Sequence, residues 1–307
     1  MTVLNIVLPV FLVIALGWGL RRGGFLTAES NGVLTRLVYW VAAPALLARS
    51  AATTPLRDSV NPLAFGVMTA VTIGMALVVY AACWRSAPSR RGVIAQGSFR
   101  SNQVFLGLPL VYYAWGDEAV GQVSVVVGLM VILYNTLSVP MLTLPHRKHG
   151  VDPWRAFLDA MRRIVTNPLA VGTVVGIALS ASGLPQPRAL DVSLELVGRT
   201  ALPLALISVG AALDLRRLKS ELGMTTVVAM LKLVVYPALI WMGVRWAGVD
   251  GLALKAVVLI AATPTAVVSY VMAREMDGDE QLAAALIIGT TLLALPSTIA
   301  WLLILGV

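Results

Sequence analysis

Charge, histidine and cysteine are all scarce in this chain of 307 residues. Only 12% of it is Asp, Glu, Lys or Arg, about half the share of an ordinary soluble domain. A soluble surface needs more charge than that, so a soluble enzyme, a disordered chain and a nucleic-acid-binding domain are all excluded. The 23 Lys and Arg outnumber the 15 Asp and Glu, but they form no stripe that could follow a phosphate backbone. No nucleic-acid partner is expected. The single Cys83 makes no intramolecular disulfide, and the two histidines, His146 and His149, share one basic segment without an HExxH pattern. Zinc hydrolysis and Ser-His or Cys-His catalysis lack their parts, so no metal, no cofactor and no catalytic residue is expected. No GxxxxGK[ST] loop is present to cradle a nucleotide. A membrane-embedded enzyme would need paired acids, and the one small acidic cluster, Asp277, Asp279 and Glu280, has no second site to match it. It reads as a solvated turn.

What the chain has instead is apolar surface: 58% hydrophobic residues and a mean hydropathy of +0.86. Its solvent is lipid. A membrane-spanning helix takes about 20 mostly apolar residues. Ten such runs are expected, at 3–20, 33–50, 61–84, 92–115, 119–144, 164–183, 190–213, 222–246, 251–273 and 281–306. The first is not read as a cleaved signal peptide, because no basic residue precedes it and Arg21 and Arg22 follow it. Lys and Arg then set the orientation. The odd-numbered loops carry fourteen of them, notably Arg85, Arg90, Arg91, Arg147, Lys148, Arg155, Arg162, Arg163, Arg216, Arg217 and Lys219. The even-numbered loops carry five: Arg49, Arg57, Arg188, Arg245 and Lys255. Odd loops are therefore expected in the cytoplasm and both termini outside. Arg36, Arg100, Arg199 and Lys232 fall within spans.

The long basic loop divides the chain into residues 1–144, 145–163 and 164–307, with five spans on each side. Pro9 and Pro168 are 159 positions apart, as are Pro44 and Pro203, while Pro140 and Pro296 are 156 apart. An odd number of spans per half turns the second half upside down, the inverted repeat of many secondary transporters. Such folds bind substrate at mid-membrane, where helices are interrupted, and broken backbone in lipid needs protein or a wet cavity to satisfy it. Two interruptions are expected. The fourth span holds Arg100, Ser101, Asn102 and Gln103 near its centre, followed by Gly107 and Pro109, and the ninth holds Thr263, Pro264 and Thr265. The positive ends of the half-helices suit an anionic substrate.

At these residues the chain resembles the auxin efflux carrier family in its bacterial branch, which shares its architecture with bile acid–sodium symporters. FRSNQVFLGLPL in the fourth span and TPTAVVSYVMARE in the ninth carry most of the likeness. PLALISVGAAL, KLVVYPAL and ALP add to it. The resemblance implies an all-α membrane protein of ten helices in two inverted five-helix repeats, with helices four and nine discontinuous and crossing. It implies a small carboxylate bound beside that crossing, with Asn102 and Pro264 at the family's crossover positions. Plant members have a proline where this chain has Ser101, which shifts the source of the break toward Asn102, Gly107 and Pro109. Sodium-coupled relatives carry acidic side chains near the crossing, and none lies there in this chain. H⁺ is thus the better candidate for a coupling ion than Na⁺.

Each polar residue in a span has a chemical and a structural reading. Arg100 costs about 2.5–3.5 kcal/mol at mid-membrane. It reads either as a carboxylate ligand or as a partner for freed carbonyls. Asn102 can bind a carboxylate or cap a half-helix. Ser101 and Gln103 are further substrate candidates, Gln103 pointing partly elsewhere. Thr263 and Thr265 read either as substrate ligands or as hydroxyls bonded back to their own helix. Lys232 reads as a coupling group, a charge partner or a snorkelling cation. Glu195 and Arg199, spaced i,i+4, neutralise each other by default, with a proton relay as the alternative. Arg36 reads as a snorkelling anchor, Tyr112, Tyr113 and Trp115 as an interfacial belt, and Gly172 with Gly176 as a close-packing pair. The function that follows is secondary transport of a small organic anion across the plasma membrane, with spans one, two, six and seven as scaffold. The expected partners are lipid, the carboxylate and a second copy of the chain through spans two and seven. A drug/metabolite-type exporter also has ten spans but expects cytoplasmic termini.

Overall fold

The computed structural model describes residues 3–53, 61–146, 162, 166–182, 187–213, 218 and 221–307. His149, Arg57, Arg147, Lys148, Arg155, Arg163, Arg216, Arg217 and Lys219 lie outside the described residues, as does most of the 145–163 connection. Eleven helices account for the regular structure among the described residues: α1 Val3–Arg22, α2 Ala28–Thr53, α3 Pro62–Ala82, α4 Pro88–Phe99, α5 Gln103–Thr143, α6 Pro168–Ser182, α7 Arg188–Ala211, α8 Leu222–Trp246, α9 Gly251–Ala261, α10 Val268–Glu275 and α11 Glu280–Ile304. Seven of them, α1, α2, α3, α5, α7, α8 and α11, are long and apolar enough to cross a membrane, and α6 and α9 are shorter apolar helices. The chain is a multi-pass membrane protein.

Local chemistry sets the helix starts. Thr27 and Ser30 form a reciprocal capping box at α2. Asn61 caps α3 ahead of Pro62, and Asp279 caps α11 by accepting from the Leu282 N–H. The outward side of α1 is a leucine stripe, with Leu4, Leu8, Leu12 and Leu16 all exposed at i,i+4 spacing. In water that stripe would be unstable; facing lipid it is the ordinary outer surface of a span.

The helices fall into two groups by their packing. The first contains α1, α2, α6 and α7, with α2 against α6, α1 against α7 and α7 against α2. Glycine makes these approaches close. A Cβ on Gly17 would overlap the backbone of Ile207, one on Gly210 the backbone of Ile14, and one on Gly176 the backbone of Ala48. Gly172 similarly meets the backbone of Pro44, as its small-residue spacing led one to expect. The second group contains α3, α4, α5, α8, α9, α10 and α11, and α5 forms the seam by also touching α2 and α6.

Two of the expected spans are interrupted. α4 ends at Phe99 and α5 starts at Gln103, while α9 ends at Ala261 and α10 starts at Val268. The first break lies at Arg100–Asn102, ahead of Gly107 and Pro109, and the helix runs on through both of those. The expectation that they help make the break is corrected: Gly107 ends the π turn Gln103–Gly107, Pro109 stands at the start of the α-helical stretch that follows it, and the helix is continuous through both. At Gly116 (φ 79°, ψ −168°) the backbone leaves the helical region within α5, a conformation that glycine alone adopts easily.

Candidate functional site

The two helix breaks pair with each other. Ser101 and Thr265 form an antiparallel bridge, the only β feature among the described residues. The Asn102 N–H donates to the Pro264 carbonyl at 2.8 Å, and the Ala266 N–H donates to the Arg100 carbonyl at 3.0 Å. Each break thus satisfies backbone groups that lipid could not. Side chains complete the join. The Thr265 hydroxyl donates to the Gly97 carbonyl at 2.8 Å, and the Thr265 N–H donates to the Thr290 hydroxyl of α11 at 3.1 Å. The Ser101 hydroxyl donates to the Ala261 carbonyl, the last of α9, at 3.2 Å.

Arg100 stands at this junction and is 5% exposed. Its Nη2 donates to Asn135 Oδ1 at 2.8 Å and its Nη1 to Ser138 Oγ at 3.3 Å, both on α5, and its guanidinium lies 6.0 Å from the Tyr134 ring centre. Its Nε is buried without a partner. Among the described residues no carboxylate pairs with it. The structural reading in which Arg100 serves freed carbonyls is not what is observed, since its bonds go to side chains. Lys232 fills that role: fully buried, it donates to the Ala261 carbonyl at 2.5 Å, with Nζ 4.8 Å from the Tyr236 ring centre. It does not snorkel.

Asn102 occupies the N-cap position of the helix that restarts at Gln103, yet its side chain makes no capping bond. The capping expectation is corrected: the Asn102 carbonyl accepts from both the Leu106 and Gly107 N–H groups in a π turn, and the Nδ2 is left buried and unpartnered. Gln103 is buried, with Nε2 donating to the Val127 carbonyl at 3.2 Å and Oε1 free. The Thr263 hydroxyl bonds back to the Ile260 carbonyl at 2.7 Å.

A small half-open recess, with about 30 Å³ of enclosed space, lies along the first break. Arg100, Ser101, Asn102 and Gln103 line it, with Ala266 from the other break, Val268 from the start of α10, Tyr134 from α5, and Tyr39 and Leu169 from α2 and α6. Its walls therefore come from both helix groups. Thr263, Pro264 and Thr265 support the junction from behind and do not line the recess. Glu195 and Arg199 are also away from it: Glu195 pairs with Arg199 at 2.5 Å and with Arg49 at 3.0 Å, and Arg49 reaches Asp191 at 2.8 Å. Arg36 is exposed, as are Tyr112 and Tyr113.

Tyr39, Tyr134, Asn135, Ser138 and Asn167 were missed from sequence. Asn167 Nδ2 donates to the Tyr39 hydroxyl at 2.9 Å, while Asn167 Oδ1 caps α6 at Leu169 and Ala170. One signal was available for Asn135 and Ser138, because polar side chains in the run YNTLS sit deep in an otherwise apolar span. Another joins Tyr39, Gln103 and Lys232: each lies in a π turn, at Val38–Ala42, Gln103–Gly107 and Leu231–Val235. Such turns cluster at functional sites but leave no mark in residue type.

The family described as Membrane transport protein matches residues 2–302 of this chain. A protein of Rhizobium meliloti named "Putative malonate transporter" is 26% identical over 298 residues, covering 94% of this chain and 92% of that relative. An "Uncharacterized transporter" of Methanothermobacter thermautotrophicus is 28% identical over 308 residues, covering 96% of each. Auxin efflux carrier component 8 of Arabidopsis thaliana is 23% identical over 245 residues, 65% of this chain and 67% of the plant protein.

Proposed function

This chain belongs to the auxin efflux carrier family of membrane transport proteins, and from that premise we propose that it carries a small carboxylate across the plasma membrane as a secondary transporter. One observation carries the proposal: Arg100 is a buried cation with a free donor at the edge of a recess and no carboxylate of its own among the described residues. A buried charge without a counter-ion is costly, and an anionic ligand relieves that cost. Beside it, Asn102 Nδ2 is a second unpaired donor. Together they offer a carboxylate two charge-complementary bonds. The enclosed part of the recess, about 30 Å³, is far below ordinary ligand pockets of about 300–1,000 Å³, so it must open further even for a small substrate. The malonate named for the Rhizobium relative is of that kind.

The ten-span inverted arrangement belongs to the same proposal, and three sets of contacts favour it. Counting α4 with the start of α5 as one span, the rest of α5 beyond Gly116 as another, and α9 with α10 as a third gives ten crossings. Arg90, Glu221 and Asp279, from loops three, seven and nine, then meet on one side at 2.6 and 3.3 Å. Arg49 and Asp191, from the borders of loops two and six, meet on the other. The repeat also relates packing contacts: Gly17 against Ile207 becomes Gly176 against Ala48 when each residue is moved by 159 positions. The α1, α2, α6 and α7 group would be the scaffold and the rest the moving bundle. The recess between them would then open alternately to each side. The odd loops face the cytoplasm and both termini face outward. A reporter fused after Val307 that is active only outside is the expected result. Activity only in the cytoplasm would overturn the orientation.

The driving force requires no nucleotide. An inside-negative potential favours anion efflux by about 2.3 kcal/mol per charge per 100 mV. Uptake would need a coupled H⁺.

Binding tests the proposal directly. Purified protein titrated with mono- and dicarboxylates should gain thermal stability with at least one of them, saturably, and gain none with the matching amides. No stabilisation by any anion of the panel would count against the site. Tyr39→Phe removes the one hydroxyl that the scaffold presents to the recess. It should weaken carboxylate binding by about 3- to 10-fold, the worth of one hydrogen bond of 0.5–1.5 kcal/mol, with a small loss of melting temperature because Asn167 Nδ2 loses its acceptor.

A further inference from the structure

We propose that the Lys232 ammonium is a resident cation of the junction, standing where a transporter of this design would otherwise bind Na⁺. The inference extends the transporter reading, and its stability arm does not depend on that reading. In transporters with interrupted helices, the C-terminal ends of half-helices and unwound carbonyls hold the coupling cation. Here α9 ends at Ala261, directly at the second break. The exposed negative end of a helix attracts positive charge, and its last carbonyls need donors.

Lys232 answers both needs. Its side chain is fully buried and its Nζ lies 2.5 Å from the Ala261 carbonyl oxygen. The Tyr236 ring lies beneath it, with its centre 4.8 Å from Nζ. A carbonyl, a neighbouring hydroxyl and an aromatic face are ligands that also suit an alkali cation. The hydroxyl is that of Ser101, which donates to the same Ala261 carbonyl at 3.2 Å. One oxygen therefore ties together α8, the end of α9 and the first break. Among the described residues no carboxylate pairs with Lys232, and no cluster of three acidic, Cys or His side chains offers a separate cation site. The ammonium reaches its place from a π turn at Leu231–Val235, where the extra residue redirects the side chain within an otherwise regular helix. The consequence is a carrier that keeps its cation through the cycle and needs no Na⁺ gradient.

The test compares wild type, Lys232→Ala and Lys232→Met in NaCl and in N-methylglucamine chloride of equal ionic strength. Wild type should melt within roughly 1 °C in the two salts, and any carboxylate flux should be equal in both. Lys232→Ala empties the site and should melt about 5–10 °C lower without Na⁺. At least half of that loss should be recovered as Na⁺ is titrated in. Lys232→Met fills the space without a charge, leaves the negative end of α9 without its cation, and should lose stability equally in both salts. A saturable rise in wild-type melting temperature or flux with Na⁺ would overturn the proposal. So would either variant matching wild type in the absence of Na⁺. If Lys232→Ala does not fold, wild type and Lys232→Met decide. A protein that melts as expected yet moves no carboxylate would contradict the proposed substrate and leave the resident cation standing.

Discussion

Arg100→Gln should cut carboxylate transport at least about 30-fold while leaving the protein at least as stable as wild type. The guanidinium is 5% exposed, bonds only to Asn135 and Ser138 side chains, and keeps its Nε unpaired. Removing a buried charge that no carboxylate balances relieves a penalty, about 2.5–3.5 kcal/mol on insertion scales. Gln can still reach one of the two polar neighbours. The substrate, by contrast, loses its counter-charge. Truncating one partner of a buried charge pair costs about 2–5 kcal/mol, so kcat/KM should fall about 30- to 5,000-fold. Stability and transport should move in opposite directions, and a purely structural arginine would make them fall together. Arg100→Lys should recover little, because a point charge does not replace the planar fork that bonds α5 and an anion together.

The second large effect concerns the packing that holds α1 and α2 to α7 and α6. Gly17→Ala and Gly176→Ala each place a methyl group into a facing backbone, at Ile207 and Ala48. No side chain can turn aside there, so the helices must part. Overpacking costs about 1–3 kcal/mol and sometimes more. Because the two contacts are related by the same 159-position shift, their losses in melting temperature should be similar, each about 3–10 °C. Gly74→Ala is the control, since no atom lies within 4 Å of its added methyl. It should be neutral or slightly stabilising, as Ala favours the helix by up to about 1 kcal/mol. Equal losses at all three sites would show that glycine content, not contact, sets the cost.

Most of the fold was legible because lipid imposes a simple rule on composition. Apolar runs of sufficient length gave α1, α2, α3, α7, α8 and α11 within a few residues of their observed ends. The breaks at Arg100–Asn102 and Ala262–Val267 were also expected, since polar residues and a proline interrupt those runs. What sequence concealed is direction. Arg100 was known to need a partner, but nothing in its neighbours says that it turns to Asn135 and Ser138, 35 and 38 positions away. The stem of Lys232 is long enough to snorkel, and only the fold shows that the end of α9 lies within its reach. Thr263 and Thr265 have the residue types of ligands but give their hydroxyls to the carbonyls of Ile260 and Gly97. Glu195 and Arg199 form the expected pair, and Arg49 and Asp191 join it from positions that spacing along one helix does not reveal.

Counterflow in proteoliposomes tests the central claim most directly, because it needs a binding site, alternating access and no added energy source. Vesicles are loaded with an unlabelled small carboxylate such as malonate, and trace labelled carboxylate is added outside. The account predicts a transient overshoot of label with wild-type protein, suppressed by excess external carboxylate and lost in Arg100→Gln. An absence of overshoot across a panel of mono- and dicarboxylates would contradict it. So would an overshoot that survives in Arg100→Gln.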